Sequence, residues 1–198
     1  PKGIFFFFFD SAPLTPDISY IVDFEKENFQ AGLTALQNLS GGRLHLGLRA
    51  APHAGLTDSD FTGIPVEHIH HFKGPHPAGN VGIQIHHIDP IKKGEVVWYV
   101  HPQDVVILGR LFREGRYRAD RLLALTGSSV LRPQYFRAMT GQRISNILGG
   151  RLRDAHSRTI QGNVLTGSTA GSDDFLSYYE NQITVIPEGD EPEFLGWL

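Results

Sequence analysis

Six consecutive apolar residues, Ile4 to Phe9, five of them phenylalanine, leave no position in the run for water. A strand with one wet face alternates apolar and polar residues, because successive side chains point to opposite faces. This run does not alternate, so both of its faces must be covered. That is the condition of a strand inside a parallel or mixed sheet with a layer on either side. Left exposed, the same segment would aggregate. Six residues also fall far short of the ~20 that a membrane helix needs, and no other apolar stretch of the chain approaches that length. Nor is the run a signal peptide, since no long apolar region and no small-residue cleavage site follow it. Asp10-Ser11-Ala12-Pro13 ends the strand in a loop.

The following residues supply the covering layers. Phe29, Leu33, Leu36 and Leu39 recur at helical spacing, which predicts a helix from about Glu25 to Leu39, with Asp23 as its cap and Gly41-Gly42 as its stop. Arg43 to Leu48 alternates, with Leu44, Leu46 and Leu48 on one side, as a strand does. Strand, helix and strand within the first fifty residues predict an α/β layer. Pro102 opens a second amphipathic helix through Val105, Leu108, Leu111 and Phe112, ended by Gly115. Beyond Arg118 the texture changes. Arg121–Thr126, Gln134–Met139, Ile160–Thr166 and Gln182–Ile186 are short β-like runs, with one short helix near Arg143–Leu148 among them. The fold class is therefore α/β: a layered domain of sheet and helices over residues 1–117, then a small α+β domain over 118–198.

Composition removes whole classes of function. The formal charge of −3 over 198 residues gives no electrostatic reason to expect nucleic acid as a partner. Arg110, Arg113, Arg116, Arg118 and Arg121 are interleaved with apolar and acidic residues, the pattern of a solvated face or a local ion-pair surface. With no cysteine there is no disulfide, no thiolate zinc site and no cysteine-ligated iron–sulfur cluster in this sequence. The sequence opens at Pro1 rather than methionine and reads as an internal piece of something longer.

The second half carries Leu125-Thr126-Gly127, Arg132-Pro133-Gln134-Tyr135-Phe136 and Thr140-Gly141-Gln142-Arg143-Ile144-Ser145-Asn146-Ile147-Leu148-Gly149-Gly150 in that order. Strand, hairpin, glycine turn, short helix and double glycine resemble a soluble-ligand-binding β-grasp (SLBB) domain. Gly141 suits the turn into the helix, and Gly149-Gly150 suits a left-handed exit from it. The neighbours narrow the resemblance. Lys2-Gly3-Ile4, Phe9-Asp10-Ser11-Ala12-Pro13-Leu14, His76-Pro77-Ala78-Gly79-Asn80-Val81-Gly82, Ile85-His86, Trp98, Gln103-Asp104-Val105, Gly109, Leu111-Phe112, Gly162-Asn163-Val164-Leu165-Thr166-Gly167, Val185-Ile186-Pro187-Glu188-Gly189 and Phe194-Leu195-Gly196-Trp197 run in one order along the chain. That series is similar to the NqrA family, the A subunits of the sodium-translocating NADH:quinone oxidoreductases. The phenylalanine run departs from it, since such proteins usually carry some polar residues there.

The resemblance implies a peripheral subunit on the cytoplasmic side of the bacterial inner membrane, held by partner subunits, the membrane B subunit above all. It implies no tightly bound cofactor in this chain, ubiquinone or menaquinone as the substrate of the complex, and flavins and iron centres in the partners. At fold level it extends to the NADH-binding flavoprotein subunit of complex I and to the C subunit of the Rnf complex. Those relatives carry a tyr-pro-ala-gly-glu type segment whose acid lies in the nucleotide and flavin site. Here the matching stretch is His76-Pro77-Ala78-Gly79-Asn80, and the acid is gone.

Six of the ten histidines lie between His68 and His87. Imidazole binds zinc and carries protons, so a histidine metal enzyme is one reading. On a strand His68 and His70 share a face and His71 takes the other, and no carboxylate stands at a recognised metal-protease spacing, so no metal ligand is assigned. His76 and His86, with Gly79, match the family motif and are the quinone-site candidates, since neutral imidazole can hydrogen-bond a quinone carbonyl and deliver a proton. Their plainer roles are packing and subunit contact. Gly79-x-x-Gly82 lacks the setting of a phosphate cradle and reads as close backbone packing at a helix entry. Trp98, Tyr99, Phe112 and Tyr117 could flank a quinone ring, but their spacing predicts core positions. Arg132, Arg143 and Arg151 read as solvated arginines. No catalytic residue is assigned. The rival of another class is a pure scaffold or ligand-binding module with no part in redox chemistry.

Overall fold

The phenylalanine run forms the middle of a parallel sheet. In the computed structural model, which describes residues 1–41, 43–50, 60–61, 63, 68–154, 156–190 and 196, β1 (Ile4–Phe7) pairs in parallel with β2 (Leu44–Arg49) on one side. On the other side it pairs in parallel with β4 (Trp98–Tyr99), and β3 (Ile69–Phe72) pairs in parallel with β2. The order is β3-β2-β1-β4. Of the two arrangements the unbroken run allows, this sheet takes the parallel one.

Alternate residues of the run feed two cores. Ile4, Phe6 and Phe8 pack with Ile18 and Val22 of α1 (Ile18–Asp23), Phe29 and Leu33 of α2 (Lys26–Ser40), and Val105 and Val106 of α4 (Pro102–Glu114). Phe5 and Phe7 pack on the other face with Ile85 of α3 (Val81–Ile88). Each enclosed phenylalanine contributes about 2–3 kcal/mol relative to exposure. A single polar substitution in the run would therefore damage one core or the other.

Two details of the helices differ from the sequence reading. The helix expected from about Glu25 to Leu39 is α2, and a further short helix, α1, precedes it. Asp17, not Asp23, is the acid that caps, accepting from the amides of Ser19 (3.0 Å) and Tyr20 (3.2 Å). Asp23 ends α1, and Glu25, the N-cap of α2, makes no side-chain cap bond. On α4 the packed stripe is Val105, Val106, Gly109 and Arg110, while Leu111 and Phe112 are exposed. The reason is the closeness of α2. A Cβ on Gly109 would lie 1.7 Å from the Asn28 carbonyl oxygen, and one on Gly32 would lie 2.0 Å from that of Val105. Helices that approach this closely leave no room for a bulky apolar ridge. Arg110 is buried and donates to Glu25 at 2.6 Å, so part of the arginine series is an internal ion pair and not a solvated face.

The unit formed by residues 120–198 builds its own core. Its strands β5 (Asp120–Thr126), β6 (Gln134–Met139), β7 (Ser157–Gln161), β8 (Ser168–Thr169) and β9 (Gln182–Pro187) lie in the order β6-β5-β9-β7-β8. The β5–β9 pair is parallel and the others antiparallel. Ile144, Ile147 and Leu148 of α5 (Ile144–Leu148) pack with Leu123, Leu125, Ile183 and Val185 of the sheet. This is a mixed sheet grasping one short helix. Gly141 takes φ 79° at the turn into α5, and Gly150 takes φ 67° after it. The expected strand from Ile160 to Thr166 stops at Gln161. Asn163 Oδ1 accepts from the amides of Leu165 (2.9 Å) and Thr166 (3.1 Å), and that side-chain bonding closes a turn instead. Of the terminal Phe194-Leu195-Gly196-Trp197 motif, only Gly196 lies within the described residues.

Candidate functional site

In an open parallel sheet, ligands bind outside the carboxyl ends of the strands, where the strand order reverses. Here the order reverses at β1. The connection from β3 to β4 must pass over β2 and β1, and it brings residues 73–80 to the loop that follows β1.

That meeting is built from hydrogen bonds and one very close approach. The Gly79 amide donates to Ser11 Oγ at 2.8 Å, and Ser11 Oγ lies 3.2 Å from His76 Nδ1. With the hydroxyl oxygen already accepting from Gly79, its proton is free to donate to Nδ1. We assign the ring proton to Nε2 on that basis. A Cβ on Gly79 would lie 2.1 Å from the Ser11 nitrogen and 2.6 Å from the Asp10 carbonyl carbon. The sequence reading of Gly79 as close backbone packing is what this geometry shows, whereas Gly82 has open space around it. One turn into α3, the buried Gln84 donates from Nε2 to the Phe9 carbonyl at 2.8 Å, clamping the helix to the end of β1.

Ser11 is held in turn by its own loop. Asp10 accepts from the Ala12 amide (2.8 Å) and from Thr15 Oγ1 (3.0 Å). Arg49, at the end of β2, donates to the Asp10 carbonyl at 3.2 Å and lies 4.7 Å above the Phe9 ring. Leu14, in the same loop, takes φ 56°, a left-handed backbone that costs a leucine about 1 kcal/mol. Tyr99, at the end of β4, stacks on Phe7 at 6.0 Å. Tyr99 is 42 % exposed as a residue but its hydroxyl end is crowded by protein, and that burial, then the Asp10 and Asp104 carboxylates, push its phenol up from its ordinary value, so at neutral pH it is a protonated donor.

The structure unites two of the three quinone-site candidates. His76 and Gly79 meet at Ser11, with His76 exposed and Gly79 buried. His86 stands six residues beyond the cap of α3, roughly 9 Å along the helix, and is exposed beside His87 with ring centres 6.1 Å apart. The aromatic set does not take the core positions its spacing predicted: Trp98, Tyr99, Phe112 and Tyr117 are all exposed to 42 % or more. His68 and His70 do share a face, and a third ring, His45 of β2, joins them there. The histidine count between residues 68 and 87 missed His45 because it arrives from a different strand.

The family model described as the NqrA second alpha/beta domain matches residues 1–117. The chain belongs to this family. The model described as the NQRA C-terminal domain, of SLBB type, matches residues 122–172. The A subunit of the Na(+)-translocating NADH-quinone reductase from Neisseria meningitidis serogroup A is 39 % identical over 199 aligned positions, which take in all of this chain and 43 % of that protein. The NqrA protein of the same name from Histophilus somni strain 2336 is 38 % identical, with 44 % of it covered. The chain thus spans less than half the length of these relatives. A crystal structure of an NAD+-reducing [NiFe]-hydrogenase in the H2-reduced state superposes with a TM-score of 0.64 at 12 % identity, over 94 % of this chain and 41 % of that one. At that identity the likeness is one of fold.

Proposed function

We propose that this chain is part of the NqrA subunit of a Na+-translocating NADH:quinone reductase, contributing to quinone binding and to assembly of the complex. In this reading residues 1–117 form the α/β domain and 118–198 the β-grasp domain. The subunit is peripheral on the cytoplasmic side of the inner membrane, docks on the membrane B subunit, and holds no tight cofactor, the flavins and iron centres lying in its partners. The relatives' names support the complex. No described helix is long and apolar enough to cross a membrane, in keeping with a peripheral place. Asn80, standing where the fold-level relatives have an acid, supports the loss of a nucleotide site.

The observation that carries the quinone contact is the Ser11–His76–Gly79 junction at the reversal of strand order. Ser11 holds the imidazole in the tautomer that presents Nε2–H. That group can donate to a quinone carbonyl and stabilise the negative charge that gathers on its oxygen as electrons arrive from the partner subunits. Titration of the full-length protein with a ubiquinone or menaquinone analogue tests the reading. His76→Ala is expected to weaken binding about tenfold, the worth of one good hydrogen bond, and His86→Ala to leave it unchanged. Saturable binding that is equal in wild type and His76→Ala removes His76 from the site. No saturable binding at all leaves the scaffold reading in its place.

A further inference from the structure

Three imidazoles converge on the face of the parallel sheet that carries Phe5. His45 extends from β2, His68 immediately precedes β3, and His70 lies in β3. His45 Nδ1 is 3.3 Å from His70 Nε2, and the His45 ring centre is 4.7 Å from that of His68. Phe5 of β1 stacks against His45 at 4.7 Å and 14°, and His68 Nδ1 is enclosed with no hydrogen-bond partner. Among the described residues, Asp89, beyond α3, is an acid that acts on His45, and Lys2 holds it at 2.6 Å while also pairing with Glu95 at 2.9 Å. His71 points to the other side of β3. Among the described residues, no group of three or more His, Cys, Asp or Glu is arranged to hold a metal ion. What can change the charge of imidazoles so placed is protonation.

The cluster tolerates few protons. A His45–His70 hydrogen bond needs one ring to accept, so two imidazolium ions cannot make it and repel each other instead. Among the described residues β3 is an edge strand, bonded within the sheet to β2 alone. We propose that the three histidines form an acid-release latch: charging the cluster detaches β3 from β2 and leaves the β1–β4 side of the sheet in place.

The sign follows from linkage. Burial first, then His68 and His70, lower His45 to about 4, and burial with His68 and His71 lowers His70. An unfolded imidazole titrates near 6.5. The latch therefore holds fully above about pH 6.5 and weakens as the pH falls toward 4. With values of about 4 folded and 6.5 released, His45 alone gives at most about 30-fold at pH 5, and about tenfold is expected because the ring is not fully enclosed.

Hydrogen exchange on the full-length protein at about pH 7.5 and about pH 5, corrected for intrinsic rates, tests this. Protection of the amides that bond β2 to β3, Ala50 donating to the Phe72 carbonyl among them, should fall about tenfold more than that of the amides that bond β2 to β1 or of β5 and β6. The extra loss should vanish in a His45→Gln/His70→Gln variant. An equal loss in the variant, or none in the wild type, overturns the proposal. If the variant does not fold, NMR titration of the wild-type imidazoles decides: His45 titrating at or above 6.5 overturns the latch, and titration well below it supports the latch.

Discussion

Replacing Gly79 and Gly82 by alanine, one at a time, should move stability in opposite directions. A methyl at Gly79 would stand 2.1 Å from the Ser11 nitrogen, 2.6 Å from the Asp10 carbonyl carbon and 2.7 Å from the Asp10 Cα, all of them backbone. Ordinary contact between such atoms needs about 3.5 Å, so the two segments must part by more than about 1 Å. That movement carries the Gly79 amide out of reach of Ser11 Oγ, now at 2.8 Å, and frees His76. Forced overpacking costs about 1–3 kcal/mol, and the lost hydrogen bond adds about 1 kcal/mol. The expected total is about 2–4 kcal/mol. A Cβ on Gly82, within α3, meets nothing within 4 Å and needs no unusual backbone angle. Gly82→Ala should therefore stabilise by about 0.4–1 kcal/mol, through the smaller entropy of the unfolded chain and better helix propensity. Urea unfolding of the full-length protein measures both, and quinone-analogue affinity should fall in Gly79→Ala alone. If Gly79→Ala unfolds within about 0.5 kcal/mol of wild type, the loop after β1 and the entry to α3 are not in the contact described, and the candidate site goes with them.

Three further substitutions probe the frame around the site. Gly109→Ala, which would place a methyl 1.7 Å from the Asn28 carbonyl oxygen, should separate α2 from α4 and cost about 3 kcal/mol or more in thermal or urea unfolding. Asp17→Ala removes the cap of α1 and should cost about 1 kcal/mol, read from the same transitions. Arg110→Met alone takes from the mostly buried Glu25 carboxylate the guanidinium that pairs with it at 2.6 Å, with Asn28 Nδ2 still donating to it, and should cost about 3 kcal/mol, while Arg110→Met combined with Glu25→Met should recover much of that loss. A double variant no better than the single one would mean that the apolar contacts of these side chains, and not their charges, set the cost.

What the sequence made legible was local or periodic. The phenylalanine run required a two-sided sheet, and the sheet is parallel with a core on each face. The Leu44, Leu46 and Leu48 alternation, the Pro102 start and the Gly41 and Gly115 stops all act within a few residues, and each is where the pattern places it. The misreadings share a different cause. Phe29 to Leu39 gave a strong period, which hid the short helix before it, whose only plain signal was Asp17 two residues ahead of Ser19. On α4 the expected apolar stripe missed because the decisive neighbour, the Asn28 carbonyl, sits 81 positions away and demands a glycine rather than a leucine.

The site shows the same limit more sharply. Gly79 and Gly82 look alike in the sequence, yet one touches backbone and the other touches nothing, because the partner of Gly79 is the Asp10–Ser11 turn 68 residues earlier. His76 and His86 were paired by motif, but the helix between them carries His86 away from Ser11. His45 stood outside the histidine-rich stretch and entered the cluster through the β2–β3 register, in which Leu46 faces Ile69. Motif spacing selects residues along one strand or one helix, whereas strand order selects which distant ends come together. In this fold the β3-to-β4 connection has to cross the end of β1. Ser11, a loop serine to which the sequence assigned no role of its own, therefore becomes the residue that joins the motif glycine to the motif histidine.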